Sequence, residues 1–230
     1  MHISENLRPA SSRVRARRGE GDRLRDEILN AAEALLVETA DANSVSIRAI
    51  SQIVGVTAPS IYRHFDDKDA LLLATCERAY DRFDDYLVAE AGKVDDPLHE
   101  IKAQARAYLR FALDHPGHYR ILFMTPGTHV HADPETHANA LNPAKSEMKA
   151  LVRLVGAIEA SIRAGLVVQI ASTEQMALLL WSMVHGIASL RIAQPEMPWP
   201  DLDRQVDELF MALATGMCTE VAKARMGSRI

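Results

Sequence analysis

The chain has 230 residues, 48% of them apolar and 25% charged, with a net charge of −5, the balance of a globular protein with one large or two small domains. No apolar run approaches the ~18 residues of a membrane span, and the N-terminal stretch has no apolar segment suited to a secretory signal. The two cysteines, Cys76 and Cys218, lie far apart inside helical patterns, which fits reduced thiols in the cytoplasm and excludes a disulfide framework.

The first twenty residues read as a flexible basic arm. Arg13, Arg15, Arg17 and Arg18 crowd together without an acid, whereas Asp81, Asp84, Asp85, Asp95 and Asp96 collect further on. Such asymmetry suits either a local anion-binding face or a solvated tail. From Asp22 to Glu38, Leu24, Ile28, Ala31, Ala32, Leu35 and Leu36 recur at helical spacing. A turn follows at Ala42 to Ser44. Ser46 is expected to cap a short helix, Ile47 to Val54, which Gly55 ends. Thr57 is expected to cap a third helix with Pro59 in its first turn, and Asp66 a longer fourth.

Downstream, Asp96 and Pro97 open a helix to about Asp114, and "HPGHYRILFM" forms a short helix after a break. Thr125 to Asn142 reads mainly as loop. Pro143 opens a helix that Gly165 closes, and Ser172 with Gln175 forms a capping box for Glu174 to about Ile192. "QPEMPWP" breaks the chain before a last helix, Asp201 to Ala224. With no strand-like alternation and no internal repeat, the expected class is all-α.

Ile47 to Phe65 has the spacing of a helix-turn-helix. Ile50, Val54, Val56 and Ile61 can share a small core, with Gly55 in the turn where positive φ is needed. Thr57, Ser60, Tyr62, Arg63 and His64 are then left outside it, and their types suit phosphates and base edges. A helical hairpin that merely packs is the alternative reading.

The segment "SIRAISQIVGVTAPSIYRHFDDKDALL" resembles the DNA-binding region of the TetR family of transcriptional regulators, through Ile50, Gly55, Val56, Thr57, Ile61, Tyr62, His64, Phe65, Lys68 and Leu71. Ser51 departs from the usual alanine; a bond from its hydroxyl back to a helix carbonyl would preserve the packing. The resemblance implies a three-helix DNA-binding domain over 21–68, with Thr57 and Ser60 opening the recognition helix. It assigns Tyr62, His64 and Lys68 to phosphates and Ala58, Pro59 and Arg63 to bases. Ser46 and Arg48, on the preceding helix, are added to the DNA-facing set, with an ordinary exposed arginine as the alternative for Arg48, and the arginine arm could lie in the minor groove.

For residues 69–230 the resemblance implies a ligand-binding and dimerisation domain whose last two long helices pair with those of a second copy. "LLLWSMVHGIASL" resembles a Trp…His-Gly subgroup through Trp181, His185 and Gly186, and Leu209, Leu213 and Met217 make a facing stripe. By residue type, an apolar pocket would be lined by Tyr108, Phe111, Tyr119, Phe123, Met124, Met148, Leu151, Val155, Trp181 and His185, with plain core as the alternative. The histidine-rich stretch 129–137 reads as a polar loop rather than a metal site, and no cofactor is expected. The chain has no Gly-rich phosphate loop, nucleophile elbow or helical His-x-x-x-His, so no enzymatic activity is expected. The reading is a cytoplasmic homodimeric repressor that binds a palindromic double-stranded operator, is released by a small effector and makes no membrane contact. An activator, a ligand-independent regulator or a helical carrier are the alternatives.

Overall fold

The computed structural model describes residues 20–92, 94–124 and 149–215, and every regular element among them is helical. The expectations for the basic arm, the 125–142 loop with its histidines, the first residues after Pro143, Met148, Met217 and the end of the last helix lie outside the described residues. In order, the elements are α1 (Glu20–Thr39), a 3-10 turn (Ala42–Ser44), α2 (Ile47–Val54), α3 (Ala58–Ile61), α4 (Lys68–Ala91), α5 (Pro97–Asp114), α6 (Pro116–Phe123), α7 (Lys149–Arg163), α8 (Thr173–Ala193) and α9 (Leu202–Thr215).

Local chemistry sets most of these boundaries. The Ser46 hydroxyl accepts the Ala49 N–H at 3.1 Å and Asp96 accepts the His99 N–H at 2.9 Å, so each satisfies a donor that its helix leaves open. Ser172 and Gln175 form a reciprocal capping box at the start of α8. Gly165 ends α7 at φ 72°, with Leu166 N–H returning to Ser161 O and Gly165 N–H to Ile162 O, the paired bonds of a Schellman stop. The cap of α4 differs from expectation. It is Asp67, not Asp66, that accepts the Ala70 N–H at 2.7 Å, because the helix starts one residue later, at Lys68.

The residues divide into two compact units. The first comprises residues up to Tyr86 together with Asp114–Val152; the second comprises Leu87–Leu113 and the chain from Arg153 on. In the first, α1 packs on the 3-10 turn, α2 and α6, while α2 packs on α3. One core joins Ile28, Leu29, Ala32 and Leu36 of α1 to Ile50, Val54, Ile61, Phe65, Leu71 and Leu72, with Ile121 of α6 added. The small core expected around Ile50 and Ile61 is therefore continuous with α1 and α4. Cys76 is buried in it, and burial pushes its thiol up to about 12, so it stays an inert thiol at neutral pH.

Ser51 does not behave as expected: its hydroxyl is buried without a hydrogen-bond partner. A buried, unmatched hydroxyl costs roughly 1 kcal/mol or more. Ser51→Ala is accordingly expected to raise the thermal midpoint by about 2–4 °C in calorimetry. A lower midpoint would mean that the hydroxyl has found a partner in solution.

In the second unit, α5 is tied to α9 by charge. Lys102 reaches Asp207 at 2.7 Å, Arg106 reaches Asp203 at 2.5 Å, and Arg110 contacts both Glu90 and Asp203. The hydrogen bond from Lys102 holds the Asp207 carboxyl below its ordinary range. Helix α8 leaves much of its apolar surface exposed among the described residues, including Leu179 and Leu190. Although no unbroken apolar run reaches membrane length, α8 taken as a whole is long and apolar enough to cross a membrane by length and composition. Apolar surface of this extent is what a helix pairing with a second copy also requires.

Candidate nucleic-acid interface

The helix-turn-helix begins at Ser46, whose hydroxyl is occupied by its capping bond and leaves Arg48 exposed in the first turn of α2. Gly55 sits at φ 74° and ψ 36°, and the N–H groups of Gly55 and Val56 both donate to Ser51 O. A side chain at that φ would crowd the backbone, so glycine is what lets the chain leave α2 and re-enter a helix within three residues.

Helix α3 is short, spanning four residues, and continues as turns because Ile61 O accepts from both His64 N–H and Phe65 N–H. Thr57 stands at the cap position, but its side chain makes no capping bond. Pro59 has no N–H to offer, and the Ser60 N–H is already taken by Thr57 O at 2.8 Å. The Thr57 hydroxyl pairs instead with the Ser60 hydroxyl at 3.0 Å, and Arg63 Nη2 donates to Ser60 Oγ at 3.2 Å. Three polar side chains are thus joined along the outer face of α3.

Burial sorts the expected residues cleanly. Ile61 and Phe65 are buried, and the Arg25 guanidinium lies 5.1 Å from the centre of the Phe65 ring. Arg48, Thr57, Pro59, Tyr62 and Arg63 are exposed, and Ala58, Ser60, His64 and Lys68 half-buried. Tyr62 presents 50% of its surface, unusual for a large aromatic side chain without a partner to cover it. The face therefore offers hydroxyls, a phenol and cationic groups, which can donate to phosphate oxygens and base edges. Asp66, Asp67 and Asp69 flank Lys68 and limit the local positive potential.

Of the ten expected pocket residues, the nine that are described, all but Met148, divide between the units. Tyr119, Phe123, Met124 and Leu151 belong to the first and Tyr108, Phe111, Val155, Trp181 and His185 to the second. In the first, Phe123 meets the rings of Tyr80, Phe83 and Tyr119 edge-on or tilted, and Tyr80 donates to Leu122 O at 2.9 Å. Met124 is exposed.

In the second unit, Trp181 Nε1 donates to the Tyr108 oxygen at 3.1 Å, and that hydroxyl lies 3.1 Å from His185 Nδ1. An indole N–H can only donate, so the Tyr108 oxygen accepts from Trp181, and the tautomer of the neutral His185 ring decides whether Tyr108 or Nδ1 donates in the second bond. Burial lowers the His185 pKa, which favours this neutral form. Phe111 and Val155 are buried.

One cluster escaped sequence reasoning. Buried Glu33 of α1 meets Arg78 and Arg82 of α4 and His118 of α6. Burial would push its carboxyl up, but the hydrogen bond with His118 and the charges of Arg82 and Arg78 outweigh it and leave the group below its ordinary value. The signal was present in the sequence: a glutamate on the same helical stripe as Leu29, Ala32 and Leu36 must find partners if that stripe is buried.

The sequence profile described as "Bacterial regulatory proteins, tetR family" matches residues 28–75. The profile described as "Tetracyclin repressor-like, C-terminal domain" matches residues 101–217, just over half of the chain. The HTH-type transcriptional regulator Rv1816 of Mycobacterium tuberculosis is 27% identical over 161 residues, covering 67% of this chain. The match spans 62% of that relative's length. Among solved structures, a TetR family transcription regulator from Marinobacter aquaeolei VT8 superposes with a TM-score of 0.64 at 18% identity, over 83% of this chain and 95% of the other. The transcriptional regulator FadR from Bacillus subtilis, solved in complex with stearoyl-CoA, superposes with a TM-score of 0.66 at 12% identity, over 84% and 99%. At these identities the superpositions establish the fold.

Proposed function

Because the chain belongs to the TetR family of bacterial regulatory proteins, we propose that it is a homodimeric DNA-binding regulator in the cytoplasm, a repressor released from a palindromic operator by a small apolar or amphipathic ligand. The division of α3 carries the reading: Ile61 is fully buried while its neighbours Tyr62 and Arg63 face solvent. In the docking this supports, Tyr62, His64, Lys68 and Arg48 hold phosphates, and Ala58, Pro59 and Arg63 meet base edges. Two copies would place their α3 helices in successive major grooves, about 34 Å apart.

The effector assignment rests on side-chain chemistry. Trp181, Tyr108 and His185 form a polar chain in the unit in which Phe111 and Val155 are buried, and these side-chain types suit the orienting of an apolar or amphipathic molecule by a hydrogen-bonding group. The stearoyl-CoA in complex with the Bacillus subtilis regulator is amphipathic, a long apolar acyl chain on a polar, anionic carrier. For release to be nearly complete, the ligand must favour the DNA-incompetent state by about 5.5 kcal/mol.

Selection of bound duplexes from a random DNA pool, followed by titration at several salt concentrations, tests the reading. The expected result is a palindromic motif bound with a steep salt dependence. Tyr62→Ala is expected to weaken operator binding by about tenfold or more without lowering the thermal midpoint, since the side chain is exposed. Tyr62→Phe, which lacks only the hydroxyl, should isolate the phosphate hydrogen bond. Wild-type affinity in Tyr62→Ala would remove α3 from the interface.

A further inference from the structure

The Glu33 cluster is a buried ionic group within the unit that holds the helix-turn-helix, and the DNA-facing residues do not account for it. The Glu33 side chain is only 7% exposed. Arg78 Nη2 donates to Oε2 at 3.1 Å, the Arg82 guanidinium reaches the same oxygen, and His118 Nε2 lies 2.8 Å from Oε1. Both carboxylate oxygens are therefore committed, one to α4 and the other to α6. A second observation places α6 against α1: a Cβ added at Gly117 would lie 2.6 Å from Val37 Cγ1. The first turn of α6 is thus seated on α1 by shape at Gly117 and by charge at His118. The His115 ring meets His118 edge-on at 6.0 Å and Tyr86 at 5.5 Å, which supports the His118 ring from behind.

Apolar contacts between helices are non-directional and tolerate small slides and rotations. A buried carboxylate gripped from two sides is directional, and leaving it half-paired is strongly unfavourable. Helix α1 packs directly on α2, so whatever fixes α1 on α4 and α6 also fixes the helix-turn-helix.

We infer that Glu33 is a positioning residue for operator binding: its clamp to Arg78, Arg82 and His118 sets the orientation in which α1, and the helix-turn-helix packed on it, presents α3 to DNA. The inference rests on the operator-binding homodimer proposed above. A palindrome demands that two recognition helices match a fixed spacing, whereas a single half-site asks only that one of them be folded. The two duplexes therefore separate orientation from folding.

The test uses the full-length protein, the selected operator and a duplex carrying one half-site, with circular dichroism confirming helical content. Glu33→Gln is expected to raise Kd for the palindrome by about tenfold or more while half-site Kd stays within about twofold. Arg82→Gln should give the same pattern with a smaller palindrome effect, since Arg78 and His118 remain. Arg82 is half-exposed, so this variant decides the matter if Glu33→Gln does not fold. Equal weakening on both duplexes would reduce Glu33 to a folding role and overturn the inference, as would no change on either. A wild-type protein that selects no duplex fails before any variant is made and overturns the operator reading with it.

Discussion

A single glutamate in place of Leu190 is expected to convert the protein to a monomer and to weaken operator binding by about a hundredfold. Leu190 is 54% exposed, and Leu179, eleven residues earlier on the same face of α8, is similarly uncovered. Gly186 lies between them on that stripe, and a Cβ there would meet nothing within 4 Å. Apolar side chains flanking a bare backbone are what two helices need to approach closely. A two-fold pairing brings the substitution in twice, and burying ionised carboxylates there costs several kcal/mol each. With the dimer gone, the two half-sites no longer share one binding event, and avidity of about 10²–10⁴ is lost. Sedimentation velocity and an operator titration read the two effects. A Leu190→Glu protein that remains dimeric would place the pairing surface elsewhere.

Ile61→Ala is expected to abolish operator binding by a different route. Ile61 has no exposed surface and joins α3 to the core that Ile50 and Val54 share with α1. Truncating a buried isoleucine to alanine costs about 2–5 kcal/mol, a large part of the roughly 5–15 kcal/mol that holds a domain together. Helix α3 is especially exposed to this loss, being four residues long and lacking a side-chain cap. Its position comes from packing rather than from its own hydrogen bonds. Thermal unfolding should show a lowered midpoint for Ile61→Ala and an unchanged one for Tyr62→Ala, although the two residues are adjacent. If both variants kept the wild-type midpoint, α3 would owe its place to something other than its buried side.

The contrast between these neighbours was legible in the sequence because burial in a helix follows a local period. Once Ile50, Val54 and Ile61 are assigned to one core, the geometry of the turn leaves Tyr62 and Arg63 outside. The side-chain roles at Thr57 were less accessible. A threonine before a proline-containing first turn reads as a cap, yet proline removes one candidate donor and the Thr57 carbonyl takes the other. That competition is settled by backbone geometry too fine for residue types to reveal. Ser51 failed for a similar reason, as its buried hydroxyl makes no bond back to a helix carbonyl.

What the sequence determined by itself was the punctuation and the helical faces: the caps at Ser46, Asp96 and Ser172, the stops at Gly55 and Gly165, and the apolar stripe of α1. These are interactions across three or four residues, whose geometry the helix repeat dictates before any tertiary contact forms. Only the tertiary structure decided which distant groups meet. It joined Glu33 to residues 45, 49 and 85 positions away, and Tyr108 to partners 73 and 77 positions away. Those meetings depend on how helices cross and turn, to which each residue contributes weakly and many contribute together. A charged side chain on an apolar stripe announces that a partner must exist, while the packing of whole helices chooses the partner.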